Sequence, residues 1–287
     1  MNWNYKMQTV TFLNHKGGVG KTSLSVLVAC GLAAKGLRVM LVDSDPQGHA
    51  SVALGVEKSP NFYDLLVRGK PYGECLTVIP PERYMRNGKS IPSSQAGLKI
   101  NGEVVDEQPE QQGVLYLLAG NEETAGIDMM KNVSVIRRRF ADMNQDVDVI
   151  VVDTSPSPTQ LHAGIYMATD HIVYVTEAEL LAFDGLKSSL TYIEPANQFR
   201  FDNGITQINV MGIVVNKYRE GTTQHPENLK SMQEMYGDYI WDPIAMRIAW
   251  SDVNMLGIPV YNYIDKQATS EAWGLINRVY NNLKVTA

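Results

Sequence analysis

The stretch VTFLNHKGGVGKTSLS, residues 10–25, decides the fold. A short apolar, β-rich run at residues 9–13 leads into a glycine loop, and the loop closes on Gly20-Lys21-Thr22. That ending belongs to the phosphate-binding pattern G-x-x-x-x-G-K-[ST]. Gly17, Gly18 and Gly20 let the backbone approach phosphate oxygens and turn N–H groups inward. A helix opening near Lys21 adds its own N–H groups and dipole. Val19 and Ser23 complete the cradle, Lys21 reaches the β- and γ-phosphates, and the Thr22 hydroxyl ligates Mg²⁺. Two residues depart from the pattern. His15 stands where the first glycine belongs, and a second lysine, Lys16, follows it.

Outward from the loop the chain alternates strands and helices. Residues 23–35 are helical by pattern, with Leu24, Leu27, Val28, Gly31 and Leu32 on one face and Gly36 closing the helix. Residues 37–42, LRVMLV, read as a buried strand ending at Asp43, and residues 147–153, VDVIVVD, as a second ending at Asp153. HIVYVTEAE from His171 and INVMGIVVNKY from Ile208 are further strands. The expected fold class is α/β, a doubly wound, mainly parallel sheet with helices on both faces, of the P-loop NTPase type. The chain reads as one domain over residues 1–287. Residues 80–113, polar and poor in periodicity, form the one expected insertion.

Composition narrows the function classes. With 44% apolar residues the chain can bury a full core. Its two cysteines, Cys30 and Cys75, form no C-x-x-C or Cys/His cluster, which argues against a disulfide scaffold, a zinc site or a cysteine-ligated cluster. No signal-peptide pattern or membrane-length apolar run is present, so a cytoplasmic protein is expected. The net charge is −6, and residues 151–287 hold 9 Lys/Arg against 15 Asp/Glu. Any nucleic-acid site must therefore be a local patch.

Two acidic elements follow the loop. In LVDSDPQG, residues 41–48, Asp43 and Asp45 leave a strand expected to lie beside the strand of the loop. Carboxylates there can hold a metal or orient a water, although the segment alone also fits a polar turn. VIVVDTSPSPT, residues 149–159, ends a hydrophobic strand in Asp153.

Taken together, KGGVGKT, VDSDPQG and VVDTSPSP resemble the deviant Walker-box ATPases of the ParA/MinD superfamily, in order and in spacing. EAELLAFDGLKSSLTYIE from Glu177 and DPIAMRIAWSD from Asp242 resemble further segments on the ParA side. The resemblance implies an ATP- and Mg²⁺-dependent ATPase that forms an ATP-sandwich homodimer, with Lys21 serving its own nucleotide and Lys16 reaching the partner's phosphates. A solvated loop lysine is the alternative for Lys16. Carried over by position, Asp43 lies near the metal, Asp45 orients the attacking water and Asp153 holds Mg²⁺ through water. Asn216 falls where relatives contact adenine, with a buried turn-forming asparagine as the alternative. Relatives that partition DNA bind it non-specifically through arginines. Arg247 and Arg219 match best here, and Lys217 and Lys230 can join them, against the alternative of scattered surface charge.

The implied function is an ATP-hydrolysing partition or positioning protein. It would be nucleoid-associated and would move a plasmid, chromosome region or large cargo with a ParB-like or cargo-adaptor partner that stimulates hydrolysis. A MinD-like membrane-cycling regulator is the alternative. It needs a basic amphipathic C-terminal helix, whereas EAWGLINRVYNNLKVTA carries only Arg278 and Lys284 as cations and reads as a helix packed on the domain through Trp273, Ile276, Tyr280 and Leu283. A nitrogenase-type reductase is set aside for want of bridging cysteines. The eight residues before the first strand leave no place for a helix-turn-helix, which leads to the expectation of a small, non-autoregulatory type.

Overall fold

The computed structural model describes residues 7–85 and 113–283. Continuous apolar runs in the central strands leave no polar face to point at solvent, so both faces of the sheet must be covered. In β2 (Arg38–Asp43) Val39 and Leu41 enter one buried cluster, while Met40 and Val42 enter another. In β5 (Val149–Asp153) Val149 and Val151 divide from Ile150 and Val152 in the same way. The period-two alternation of a strand thus feeds two helical layers.

Seven strands form one sheet in the order β3-β4-β2-β5-β1-β6-β7. The others are β1 (Gln8–Leu13), β3 (Thr77–Ile79), β4 (Val114–Leu118), β6 (His171–Glu177) and β7 (Asn209–Asn216). Among the described strands only the β3–β4 pairing is antiparallel. One expectation is corrected by this order: β2 is not beside β1. Strand β5 lies between them and pairs in parallel with both. The α1 crossover from β1 skips one sheet position, and β5 fills the slot much later in the chain. Asp43 and Asp153 consequently leave neighbouring strands in direct register, with Phe12 opposite Asp153 on the other side.

The helices are α1 (Lys21–Ala34), α2 (His49–Ala53), α3 (Asn61–Tyr63), α4 (Tyr72–Cys75), α5 (Val135–Ala141), α6 (Gln160–Ala168), α7 (Leu180–Leu190), α8 (Ile193–Asp202), α9 (Gln224–Tyr236), α10 (Ile248–Leu256) and α11 (Lys266–Asn282). Helices α1 and α11 cover one face, and α5 with α6 cover the other. In α11, Trp273, Leu275, Ile276 and Val279 are buried in the same cluster as α1. Leu283 is buried there as well, and Tyr280 packs against it.

The expected insertion at residues 80–113 falls mostly outside the described residues, and its two flanks belong to the fold. Tyr84 is buried and donates its hydroxyl to the Gly113 carbonyl at 3.0 Å, and Tyr261 donates to the Tyr84 carbonyl at 2.6 Å. The packed part of the chain therefore extends to Met85, which is buried too.

Candidate nucleotide site

The loop between β1 and α1 is fixed by its own Asn14, which reaches β6, and by two side chains from the end of β7. Asn14 donates to the Val175 carbonyl at 2.7 Å and accepts the Lys16 N–H at 2.8 Å. From the end of β7, Asn216 donates to the Val19 carbonyl at 2.8 Å, and Lys217 donates to the carbonyl of Gly18. Holding these carbonyls outward leaves the loop's N–H groups free to face an anion. Gly20 has φ +97°, and a Cβ there would lie 2.1 Å from Asn216 Nδ2, so only glycine fits.

His15 occupies the first-glycine position because the loop packs there against rings. Its imidazole is edge-on to Tyr192 at 4.9 Å and to His162 at 6.0 Å, and the backbone N–H of His15 donates to Ser189 Oγ at 3.0 Å. Burial, and then the Lys21 charge, lower the His15 pKa. Burial, and then His15, push His162 down to about 4. Both rings are held neutral.

Lys21 is buried and donates to the Lys16 carbonyl at 3.1 Å. Desolvation lowers its pKa, and the Asp153 and Asp45 charges oppose that shift. Asp153 is fully buried and neither of its oxygens makes a hydrogen bond of normal geometry. Desolvation raises its pKa, with the hydroxyls of Thr22 and Ser25 near enough to counteract. The buried carboxylate and the threonine hydroxyl beside it are hard oxygens that suit Mg²⁺, and the Lys21 ammonium beside them suits the polyphosphate bound with it.

Asp43, expected near the metal, is fully buried beside Asp153 and gives its oxygens to backbone: Oδ1 accepts the Asp45 N–H at 3.3 Å, and Oδ2 accepts those of Ala50 at 3.0 Å and Ser51 at 3.4 Å. It shapes the turn and caps α2. Asp45, by contrast, lines the cleft.

The cleft encloses about 740 Å³ between the loop, the turn before α2, the helical turn Glu122–Met129 and the start of α6. Gly17, Gly18, Gly20, Lys21, Thr22 and Ser23 form its phosphate end. Gln47, His49, Thr124, Asp128 and Ser157 also line it, and sequence reasoning missed all five. It missed Glu177 too, a polar residue closing a strand of which only the family likeness had been noted.

The four cations expected at DNA have different partners. Arg219 donates from Nε to Met246 Sδ at 3.1 Å, and Met246 precedes Arg247 in the chain. Arg247 pairs with Glu271 at 2.6 Å. Lys217 is turned to the phosphate loop and to Glu177 at 3.1 Å. Lys230 lies on α9, its side chain 78% exposed, 3.9 Å from Glu234.

A glycine loop between β1 and α1, a buried lysine facing an orphaned aspartate, and a second acid on the next strand but one define a P-loop nucleotide hydrolase. An AAA domain family model matches residues 7–203. The chain belongs to that family, and within it to the ParA/MinD superfamily of P-loop ATPases. The chromosome-partitioning ATPase Soj of Treponema pallidum is 27% identical over 258 residues, covering 89% of this chain and 90% of that protein. Apo McdA from Cyanothece superposes with a TM-score of 0.73 at 15% identity, over 95% of this chain and 99% of its own. MinD from Pyrococcus horikoshii, solved with Mg-ADP, gives a TM-score of 0.66 at 15% identity, over 97% and 100% of the two chains.

Proposed function

We propose that the whole chain acts as one ATPase unit that positions or partitions a cargo by an ATP-gated cycle on non-specific DNA. ATP with Mg²⁺ occupies the cleft. Lys21, Thr22 and the loop N–H groups bind the phosphates, Asp153 holds the metal through water, and Asp45 orients the attacking water. Lys16 reaches the phosphates of a second subunit, so that a triphosphate, with more charge to offer than a diphosphate, favours the dimer. The dimer binds DNA through Arg219 and Arg247, and a ParB-like or cargo-adaptor partner stimulates hydrolysis and release. This places the protein in the cytoplasm, on the nucleoid.

The observation that carries the reading is the different setting of the two loop lysines. Lys21 is buried at the phosphate end of the cleft, whereas the Lys16 side chain is 27% exposed and turned to Glu177 and Glu179. The likeness to Soj supports partition over other uses of the fold. A MinD-like membrane cycle is disfavoured by α11, whose apolar face is already buried against α1. Among the described residues no helix is long and apolar enough to cross a membrane.

The test is fluorescence anisotropy of a random-sequence DNA duplex with ATP, ADP or no nucleotide, at two salt concentrations. Binding is expected only with ATP, is expected to weaken with salt, and is expected to vanish in Lys16→Ala. ATP-dependent dimers without any DNA binding would remove DNA as the track.

A further inference from the structure

The loop lysine that would act across a dimer is engaged inside its own subunit. Lys16 Nζ lies 3.4 Å from Glu177 Oε2 and 3.3 Å from Glu179 Oε2. The other oxygen of Glu177 is 3.1 Å from Lys217 Nζ, the same ammonium that donates to the Gly18 carbonyl. Glu177 therefore sits between two cations, one on each side of the phosphate loop.

The fold builds this arrangement. Glu177 closes β6 in register with Asn216, so its backbone is fixed where β7 turns out through Lys217 at φ +53°. Its side chain is 11% exposed. Lys16 is directed towards it from the other side: its N–H is held by Asn14, and α7 approaches its stem at Gly185, where a Cβ would lie 3.2 Å from Lys16 Cβ.

We propose that Glu177 is a docking carboxylate that keeps the Lys16 ammonium in its own subunit until the triphosphate of a second subunit competes for it, with Lys217 compensating Glu177 once Lys16 has left. The proposal rests on the reading of Lys16 as the lysine that acts in trans. Breaking a half-buried ion pair is costly when it strands one charge. Here Lys217 remains beside Glu177, so release of Lys16 strands nothing and the restraint is weak enough to reverse. Glu179, with its side chain 47% exposed, adds little through the solvent. The stored contact is thus a threshold. A diphosphate offers the lysine less charge than a triphosphate does, so the triphosphate competes better with Glu177.

Glu177→Gln keeps the shape and removes the charge, and it is read in two ways. In the nucleotide-free protein, acetylation of the Lys16 amine by limiting acetic anhydride, followed by mass spectrometry, is expected to speed up at least threefold. In the second arm, the ATP concentration giving half-maximal dimer by light scattering is expected to fall at least threefold, equivalent to about 0.7 kcal/mol, with ADP still leaving monomer. An unchanged acetylation rate overturns the proposal, and so does an unchanged or raised ATP midpoint. Should Glu177→Gln not fold, Glu177→Asp keeps the charge but withdraws the carboxylate by one methylene from both ammoniums, and both readouts are expected to move the same way by a smaller factor. If Lys16→Ala dimerises at the wild-type ATP midpoint, the trans reading fails and the competition fails with it. The acetylation arm would still report whether the contact within the subunit exists.

Discussion

Asp43 and Asp153 leave adjacent strands at the same register and are both fully buried. Desolvation raises the pKa of each, and for Asp43 the Asp153 charge raises it further. The folded state therefore binds protons that the unfolded chain has lost above the ordinary carboxylate range, and their contribution to stability is lost as pH rises through the folded values. His162 works in the other direction. Its pKa is pushed down to about 4, so its contribution is present above the unfolded value and is lost as pH falls towards the folded one. The two effects oppose each other below about pH 6.5, and only the carboxylate pair acts between about pH 6.5 and 8. The thermal midpoint of the nucleotide-free protein is expected to decline across that upper window, at no more than about 1.4 kcal/mol per pH unit for each proton. Asp153→Asn should flatten the alkaline slope, and His162→Gln should flatten the acid one. A wild-type midpoint that is level from pH 6.5 to 8 in scanning calorimetry would contradict the raised pair. Residue chemistry of this kind was half legible in the sequence. The aspartates at strand ends could be read from VVD and LVD, but their sideways contact depends on a strand order that no local pattern encodes.

At the scale of elements β1, β2, β5, β6 and β7 were readable because their apolar runs end in polar residues at the site, and each lies within about two residues of its expected bounds, whereas β3 and β4 were not read. The adjacency of β1 and β2 was misjudged because the chain order of parallel strands does not fix their order in space. The role of α8 was not legible at all. Its Arg200 is fully buried and donates from Nη1 to the carbonyls of Tyr166 at 2.5 Å, Met167 at 3.3 Å and Thr169 at 2.6 Å, and from Nε to that of Thr206 at 2.7 Å. An arginine near the end of a polar helix gives no sequence signal that it will close the C-terminus of another helix, where the last carbonyls lack intrahelical partners. One guanidinium thus ties α6, which begins at the phosphate cleft, to α8 and to the chain entering β7. Replacing Arg200 with methionine keeps much of the volume and leaves those carbonyls unpaired in a dry site. The expected loss is roughly 3 to 5 kcal/mol in urea unfolding, by the usual cost of removing one member of a buried polar set. A loss below about 1 kcal/mol, the worth of an ordinary hydrogen bond, would mean that the carbonyls find other partners.

Across the whole molecule the site draws on every central strand. The loop follows β1, Asp45 follows β2, Asp153 ends β5, Glu177 ends β6 and Asn216 ends β7. A nucleotide held by the loop after β1, by Asp45 and by Asp153 would brace the sheet where β2, β5 and β1 lie side by side, and it would be released on unfolding because the unfolded chain cannot assemble residues so distant in sequence. Binding of ADP with Mg²⁺ should therefore appear as global stabilisation, RT ln(1 + [L]/Kd), or about 2.7 kcal/mol at a hundredfold excess over Kd. For a chain of this size that corresponds to a rise of roughly 5 to 10 °C in the thermal midpoint. ADP is the better probe than ATP, because it separates binding from the proposed dimerisation. Lys21→Ala should lose nearly all of the shift, since its ammonium sits at the phosphate end of the cleft. Asp153→Asn should bind ADP and lose the increment that Mg²⁺ adds, and Lys16→Ala should keep the full ADP shift. If Lys16→Ala lost the shift as completely as Lys21→Ala does, the two loop lysines would serve the same nucleotide and no lysine would be left to sense a partner's.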